Sequence, residues 1–198
     1  MHVSSSSTMR RCLKRHLLPD PLLGRLEPLR VLDIGGADYN GSYRPMFERI
    51  GADYTSVDIA DGRNVDVVMT SPDQLPFDDG EFHVVVCGQT FEHTPRFWTL
   101  FAEMVRVCHD DGLVIVVAPS TGPVHRFPVD CYRFFPDAFE ALGHQHDLEV
   151  LETWQSPIGP FFDLLGVFAR RARPGSTIEP DMARWRALDD PVQNDAPA

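Results

Sequence analysis

The stretch Val31-Leu32-Asp33-Ile34-Gly35-Gly36-Ala37 decides the fold of this chain. Its short apolar run is typical of a buried strand. The glycine pair at its end permits a sharp turn and lets a ligand approach the main chain closely, because no Cβ intervenes. A second strand-like run, 54–57, ends in Asp58, at roughly the separation where a nucleotide-binding βαβ unit carries an acid for the ribose hydroxyls. Together these features predict a nucleoside cofactor at the carboxyl ends of parallel strands.

The spacing of the glycines argues against a dinucleotide. A dinucleotide-binding loop reads G-x-G-x-x-G, whereas Gly35 and Gly36 are followed next by Gly41. The loop is also acidic, since Asp33 precedes the glycines and Asp38 follows them. Negative charge suits a cationic ligand better than it suits a pyrophosphate. S-adenosylmethionine, which carries a sulfonium and an ammonium group, therefore fits this loop on electrostatic grounds.

The loop resembles motif I of the class I S-adenosylmethionine-dependent methyltransferases, and further segments resemble the small-molecule, type 11-like branch of that family in the same order. They are Asp58 after the second strand, the run 74–86 with its Leu-Pro-Phe and Phe-His-Val-Val-Val elements, the Glu-His segment 89–93, and the turn and fifth strand 111–119. The resemblance covers roughly residues 28–151. It implies an α/β protein with the Rossmann-like class I methyltransferase fold and S-adenosylmethionine as its cofactor.

The order of periodic segments agrees with that fold. Predicted strands lie at 30–34, 53–57, 65–69, 82–87, 113–118, 147–153 and, as a last edge strand, 167–170, and predicted helices lie at 43–50, 95–108 and 136–142. Strands that alternate with helices at this spacing indicate a mostly parallel seven-stranded sheet with helices on both faces. We divide the chain into an N-terminal segment with a basic helix (1–27), the methyltransferase domain (28–171) and a loosely ordered C-terminal tail (172–198), and we expect disorder over 1–9.

Composition predicts one cytoplasmic domain without a nucleic-acid or membrane partner. A chain of 198 residues with 43% hydrophobic residues is able to bury the core of a single domain. Its net charge of −11 disfavours nucleic acid, because phosphate binding needs clustered Lys and Arg. No apolar run approaches the roughly 18 residues of a membrane span, and no signal-peptide-like stretch follows the N-terminus. The 4 widely spaced cysteines are expected to be reduced thiols, not disulfides or zinc ligands.

The resemblance assigns the cofactor to residues at the tips of the first and second strands. Gly35 and Gly36 are implied to run beneath the methionine part of S-adenosylmethionine. Asp33 is implied either to bond its ammonium group or to orient the loop. Asp58 is implied to hold the ribose, and Ile59 to pack on the adenine.

The resemblance also implies cofactor contacts further along the chain. Gln89, at the end of the fourth strand, falls where the family contacts the methionine portion. The family often places an acid near the adenine amino group, but this chain has Ser71 at that position. Either the Ser71 backbone or the nearby Asp73 is expected to take that role.

The segment 123–136, after the fifth strand, is the most distinctive part of the acceptor side. Its H-x-x-P-x-D-x-x-R-F pattern resembles a subset of the family associated with bacterial saccharide and cell-envelope biosynthesis. Because ligands in such folds bind beyond the carboxyl ends of the strands, we expect this segment to cover the site. Arg133, Tyr132 and Trp154 are the predicted contacts of the acceptor. A plain Asp130–Arg133 ion pair that pins the loop is the alternative, and both interpretations can hold together.

Methylation of a hydroxyl is helped by a base, and three side chains qualify. His125 and His93 are candidates because imidazole changes charge near neutral pH. Asp130 is the third, either as a base or as the group that orients an imidazole. A divalent metal such as Mg²⁺ would instead lower the pKa of the hydroxyl as a Lewis acid, with ligands drawn from Glu92, His93, Asp130 and His144. No spacing in the sequence demands the metal.

The sequence thus predicts an enzyme that moves a methyl group to a hydroxyl of a saccharide, an oligosaccharide or a similar small polar metabolite, in polysaccharide or cell-envelope biosynthesis. A small-molecule N- or C-methyltransferase of secondary or quinone-type metabolism, with an apolar acceptor pocket, is the alternative within the enzyme class. A cofactor-binding module without catalysis is a third hypothesis, which the departure at Ser71 leaves open. The run Phe161-Phe162 with Leu164-Leu165 predicts either a core segment or an exposed apolar patch for a homodimer.

Overall fold

A computed structural model describes residues 3–23 and 26–170 of the chain. The strands are β1 (Arg30–Ile34), β2 (Asp53–Asp58), β3 (Val67–Val68), β4 (Phe82–Gly88), β5 (Cys108–Ala118), β6 (Glu149–Gln155) and β7 (Leu164–Ala169). The α-helices are α1 (Val3–Cys12), α2 (Arg44–Glu48), α3 (Phe97–Val107) and α4 (Pro136–Gln145), with a π-helical turn at Leu13–Leu17 and a 3₁₀ turn at Phe91–His93. Every strand and helix predicted from 30 onward is present; β1 has the predicted ends, and the other elements differ at one end or at both. The predicted tail 172–198 lies outside the described residues.

The sheet has the strand order β3-β2-β1-β4-β5-β7-β6. β1 pairs in parallel with β2 and β4, whereas β7 runs antiparallel to β5 and β6. The predicted mostly parallel, seven-stranded sheet is therefore confirmed. The prediction of an edge strand at 167–170 is wrong, because β7 lies inside the sheet and β6 forms the edge. Every residue of β7 is buried, as expected for a strand with neighbours on both sides.

Side chains of β1 divide between two apolar clusters, one on each face of the sheet. Leu32 and Ile34 belong to the cluster that α3 and α4 cover, and Val31 belongs to the cluster that α1 and α2 cover. The buried residues of α3 recur at spacings of three and four, which turns one helix face to the sheet; they are Leu100, Phe101, Met104 and Val107. Because helices cover both faces, a ligand reaches the sheet where its parallel strands end.

The expected disorder over residues 1–9 is wrong for residues 3–9, because they belong to the N-terminal helix α1. Ser4 Oγ donates to Asp163 Oδ2 over 2.5 Å. Ser5 Oγ lies within 2.5 Å of the Tyr43 hydroxyl, with which it shares a buried hydrogen bond. A run of serines is typical of a polar tail, but the hydroxyls of Ser4 and Ser5 bind residues that are distant in the sequence and are brought near by the fold.

The apolar patch predicted at residues 161–165 is largely interior. Leu164 and Leu165 are fully buried in β7, and Phe161 is 9% exposed, so Phe162, at 38%, carries most of the exposed surface. The core interpretation therefore holds for this segment. These residues expose no extended apolar patch, so they do not support a homodimer, which stays a prediction.

Two predictions from composition concern helices and thiols. Among the described residues, no helix combines the length and the apolar character that crossing a membrane requires. The four cysteines lie within the described residues and form no disulfide there; Cys12, Cys87 and Cys108 are buried and Cys131 is exposed. A cytoplasmic location stays a prediction.

Candidate active site

A cavity of about 570 Å³ opens where β1, β2 and β4 end. This volume lies within the roughly 300–1,000 Å³ of typical small-molecule sites. Its walls are the glycine loop after β1, the residues after β2 and β4, and the loop after β5. They include Asp33, Gly35, Gly36, Tyr39, Asp58, Ile59, Gln89, Thr90, Glu92, His93, His125, Arg126 and Phe127. The structure thus brings most of the predicted cofactor residues and two predicted bases to one cavity.

The glycine loop turns the chain from β1 along the cavity wall. Gly35 has φ +73°, a left-handed value that favours glycine. The N–H groups of Gly35 and Gly36 both donate to Val57 O, over 2.8 and 3.2 Å, so the loop folds back onto the end of β2. A Cβ on Gly36 would lie 2.7 Å from the Cβ of Ser56. A Cβ on Gly35 would overlap the Thr90 hydroxyl, so both glycines permit the close packing of this wall.

Asp33 lies buried beneath the glycine loop, with 3% of its surface exposed. The Tyr54 hydroxyl donates to Asp33 Oδ2. Burial raises the pKa of Asp33 to about 7, against the opposing effects of this hydrogen bond and of the Arg44 guanidinium. A cationic ligand group in the cavity would favour the carboxylate form. The arrangement is compatible with both predicted roles, bonding an ammonium group and orienting the loop.

Asp58 reaches the cavity from the end of β2. Its Oδ2 accepts the Ala37 N–H at 3.1 Å, and its Oδ1 accepts the Ala60 N–H at 3.3 Å. A carboxylate offers about four lone-pair sites, so capacity remains for ribose hydroxyls. Ile59, which is 51% exposed, lines the cavity beside it and offers apolar surface to an adenine ring.

Gln89 lines the cavity with a backbone conformation that is uncommon outside glycine, at φ +57°. Its main-chain N–H donates to Val117 O over 2.8 Å, and its Nε2 donates to Asp163 Oδ1 over 3.0 Å. Because Asp163 accepts from the amide nitrogen, the orientation of the amide is set. The amide oxygen is then left buried, with no hydrogen-bond partner among the described residues. A strained backbone beside an unpaired buried acceptor is typical of a ligand site.

Ser71 and Asp73, predicted near the adenine, are not among the residues that line the cavity. Ser71 Oγ donates to Asp73 Oδ1 over 3.1 Å, and Arg96 binds Asp73 Oδ2 over 2.5 Å. Met69 and Pro72 line this part of the wall instead. The carboxylate of Asp73 is therefore engaged with Arg96, and a contact through the Ser71 backbone stays a prediction.

Glu92 is fully buried at the cavity wall, yet neither of its carboxylate oxygens has a hydrogen-bond partner among the described residues. Burial raises the pKa of Glu92 to about 8. His93 Nε2 lies 3.7 Å from Glu92 Oε1. An unpartnered buried carboxyl group costs stability and is a candidate for a functional role. His144, another ligand candidate from the sequence, lies on α4 and outside this cluster.

The imidazoles of His93 and His125 meet at the same wall, with ring centroids 5.0 Å apart and planes at 88°. His93 Nδ1 lies 2.6 Å from Val129 O. His125 Nδ1 lies 3.2 Å from Pro123 O. A carbonyl oxygen only accepts, so Nδ1 of His93 carries the proton. Nδ1 of His125 meets two acceptors, Pro123 O at 3.2 Å and Asp130 Oδ2 at 3.4 Å, and one guanidinium nitrogen of Arg133 at 3.4 Å. We assign its proton to Nδ1 because the nearest of these groups is an acceptor, and each Nε2 then keeps its lone pair. Burial lowers the pKa of His93, which keeps this ring neutral near pH 7.

Asp130 lies behind His125 and is held by Arg133. Hydrogen bonds of 2.5 and 2.8 Å join the guanidinium to its two oxygens, and the His125 main-chain N–H donates to Oδ2 over 2.7 Å. The Arg133 guanidinium holds the pKa of Asp130 well below its usual range. Asp130 is thus placed to orient His125, whose Nδ1 is 3.4 Å from Oδ2, and not to take a proton. The terminal nitrogens of Arg133 also donate to the backbone carbonyls of Tyr132 and Pro123, and Arg133 does not line the cavity. These contacts favour the interpretation that the Asp130–Arg133 ion pair pins the loop.

Two predicted acceptor contacts also lie away from the cavity. The Tyr132 hydroxyl donates to Pro95 O over 2.8 Å, and its ring packs on Phe97 with centroids 5.0 Å apart. Trp154 stands on β6, where the Arg11 guanidinium covers its ring at 4.3 Å from the centroid. Both rings are engaged in packing, so their placement does not support a contact with the acceptor.

The cavity also has walls that sequence reasoning did not assign. Tyr39 and Phe127 line it from the loops after β1 and β5, and their rings touch edge to face with centroids 4.7 Å apart. Tyr43 lines it from the start of α2, and Thr90 packs against Gly35. Phe127 and Thr90 fall in segments that the motifs single out, whereas no pattern in the sequence marks Tyr39 or Tyr43.

The sequence of this chain matches a known protein family over the part that includes the glycine loop of the cavity. Residues 32–116 match the family described as methyltransferase domain. An uncharacterized methyltransferase from Mycobacterium sp. (strain JLS) is 36% identical over 98 residues, which is 43% of this chain and 37% of that protein. A demethylmenaquinone methyltransferase from Lactococcus lactis is 28% identical over 138 residues, which is 61% of this chain and 54% of that protein. The chain thus spans between about a third and about half of the length of these curated relatives.

A solved structure supports the fold independently. The 1,6-didemethyltoxoflavin-N1-methyltransferase from Burkholderia thailandensis, with bound 1,6-didemethyltoxoflavin and S-adenosylhomocysteine, matches with a TM-score of 0.65 and 15% identity, over 84% of this chain and 77% of that one. At this identity the likeness concerns the fold, and it confirms the predicted class I methyltransferase fold. The segment 123–136 lies outside the matched domain.

Proposed function

We propose that this chain, which carries a methyltransferase domain of the class I fold, is an S-adenosylmethionine-dependent O-methyltransferase acting on a hydroxyl of a small polar acceptor of saccharide type. One observation carries the proposal. A single cavity joins the acidic glycine loop to His93 and His125, whose Nε2 atoms keep their lone pairs. A place for the cofactor and groups able to take a hydroxyl proton therefore share one compartment.

The residues around the glycine loop fit S-adenosylmethionine. Gln89 Oε1 is a buried acceptor without a partner in the described chain, which suits an ammonium group. Asp58 keeps acceptor capacity for a ribose diol, and Asp33 can supply negative charge beneath the loop when a cationic group favours its carboxylate form. When bound, the cofactor supplies a methyl group on a sulfonium, which is already a strong electrophile.

The remaining work of the protein is to hold the acceptor in line, exclude water and receive a proton. Binding two reactants in one cavity removes most of the entropic cost of their encounter. As the acceptor oxygen takes the methyl group, its proton passes to Nε2 of His125 or His93. Asp130 stabilises the charged imidazole of His125 through their 3.4 Å approach.

A saccharide-type acceptor is supported by the chemistry of the cavity mouth. The rings of Tyr39 and Phe127 are more than half exposed and line the cavity, where they can pack against a sugar ring. His93, His125 and Arg126 supply hydrogen-bonding groups on the same wall. A place in polysaccharide or cell-envelope biosynthesis stays a prediction.

N- or C-methylation of a quinone-type acceptor is the second candidate. Apolar side chains of Met69, Leu100 and Phe127 also line the cavity, and one relative is named as a demethylmenaquinone methyltransferase. A noncatalytic module fits less well, because such a module has no use for two imidazoles held with free lone pairs beside the cofactor loop.

An acceptor screen with matched deoxy analogues tests the proposed function. The full chain is incubated with S-adenosylmethionine and with neutral saccharides, sugar nucleotides, hydroxyquinones or small amines, and S-adenosylhomocysteine and methylated product are measured by mass spectrometry. We expect turnover of a saccharide and none of its analogue in which hydrogen replaces the methylated hydroxyl. Turnover of quinones or amines alone would contradict the proposal.

A further inference from the structure

Glu92, His93 and His125 form a cluster of metal-ligand atoms at the acceptor side of the cavity. One ligand atom from each residue lies within 4.8 Å of the other two. Glu92 is 0% exposed, and within residues 3–23 and 26–170 neither of its carboxylate oxygens has a hydrogen-bond partner. Buried carboxylate oxygens are normally satisfied, so this pair points to a ligand that the described residues do not supply.

The two imidazoles are already oriented as metal ligands are. His93 donates from Nδ1 to Val129 O, and His125 donates from Nδ1 to Pro123 O. A hydrogen bond from one ring nitrogen to a backbone carbonyl is the usual outer-shell contact of a metal-bound histidine, because it fixes the tautomer and the ring orientation. It leaves Nε2 of each ring neutral and able to bind a cation.

The geometry points to a divalent metal site formed by Glu92, His93 and His125. Two imidazoles and one carboxylate make the donor set of catalytic zinc sites, which keep a further position open for water or substrate. Imidazole ligands suit zinc and the neighbouring transition metals, whereas Mg²⁺ prefers oxygen ligands. The cluster therefore favours a metal of the zinc class over the Mg²⁺ that the sequence left open as an alternative to a base.

The role of this metal rests on the proposed function. The three ligands line the cavity that the glycine loop also lines, so a metal bound by them would lie beside the space left for an acceptor. A hydroxyl bound there would have a lower pKa. In the metal-loaded protein the two imidazoles would be ligands and the proton would pass to solvent, whereas in the metal-free protein an imidazole accepts it.

Direct metal titration tests the site without reference to activity. The full chain carrying Cys131→Ser, which removes an exposed thiol able to bind zinc adventitiously, is freed of metal and titrated with Zn²⁺ and with Mg²⁺ by calorimetry. We expect one Zn²⁺ per chain and much weaker Mg²⁺ binding. Glu92→Gln, His93→Ala and His125→Ala should each lower Zn²⁺ affinity by more than the roughly 10–100-fold that loss of an outer-shell partner costs. His109→Ala, a histidine outside the cluster, should leave it unchanged.

Cobalt spectroscopy gives a second readout that needs no ligand variant. Co²⁺ bound to two imidazoles and a carboxylate should give visible absorption bands that Zn²⁺ abolishes at one equivalent. Absence of stoichiometric Zn²⁺ binding, or binding that survives all three ligand variants, would overturn the site.

The two proposals fail separately. If Zn²⁺ does not bind and the metal-free chain still methylates its acceptor, the metal site is excluded and the proposed methyl transfer stands. If Zn²⁺ binds at the cluster but no acceptor is methylated, the site stands and the proposed function is overturned.

Discussion

Replacement of Gly35 by alanine is expected to abolish binding of S-adenosylmethionine and to lower the free energy of unfolding by several kcal/mol. Holding alanine at φ +73° costs roughly 1–3 kcal/mol. The new Cβ would also overlap the Thr90 hydroxyl and lie 2.9 Å from Thr90 Cγ2, and such overpacking costs roughly another 1–3 kcal/mol. Equilibrium urea denaturation measures the stability loss, and calorimetry measures the affinity.

Two other glycines separate these contributions. Gly51 shares a positive φ, +80°, but a Cβ there meets nothing within 4 Å, so Gly51→Ala should show the backbone cost alone. Gly62, which has open space around it and a φ outside the left-handed region, should tolerate alanine. Adding Thr90→Ala to Gly35→Ala should recover much of the overlap cost in a double-mutant cycle. A Gly35→Ala chain as stable as Gly51→Ala would contradict the close packing described for this wall.

Replacement of His125 or His93 by alanine is expected to lower turnover by roughly 10²–10⁴-fold, the usual contribution of acid–base catalysis. Both imidazoles face the acceptor side of the cavity, so the affinity for S-adenosylmethionine should stay essentially unchanged. The loss is expected whether the rings accept the hydroxyl proton or bind a metal that acidifies it. Steady-state kinetics on the acceptor found in the screen, with calorimetry of cofactor binding, measures both quantities.

His109→Ala is the matched control. His109 lies beside His83, with ring centroids 5.6 Å apart, where β4 and β5 begin, and the cavity lies where the parallel strands end. This variant should retain full turnover. The double variant of His93 and His125 should lose little more than the worse single variant, since groups that act as a unit are not additive. Unchanged turnover in His125→Ala would remove that residue from the mechanism, and additive losses would indicate separate structural effects.

The cofactor side of the site is largely predictable because its signals are local. The apolar run, the glycine pair and the acid at the strand end each follow from the conformation of a few consecutive residues, and Asp33, Gly35 and Asp58 all lie where the motifs predict. Gly36 and Ile59 lie there too, because each neighbours a residue that the strand ends position.

The acceptor side is harder to predict because its geometry depends on pairing between distant segments. Arg133 was expected at the acceptor, but its guanidinium closes on Asp130 and neighbouring carbonyls. Trp154 was expected there too, but α1 packs against β5 and β7, and its Arg11 binds Glu152 of β6 and covers the Trp154 ring. Asp163 holds Gln89 from 74 positions along the chain, a separation no local motif encodes.

The measurement that tests the central claim most directly is a calorimetric titration of the full chain with S-adenosylmethionine and S-adenosylhomocysteine, with a nicotinamide dinucleotide for comparison. The account predicts micromolar binding of the first two and none of the dinucleotide. Asp58→Ala should weaken the first two at least about tenfold, because hydrogen bonds to a charged group contribute about 1.5–3 kcal/mol each. Asp61→Ala, which removes a nearby exposed acid outside the cavity lining, should not. Binding of the dinucleotide alone, or of none of the three, would contradict it.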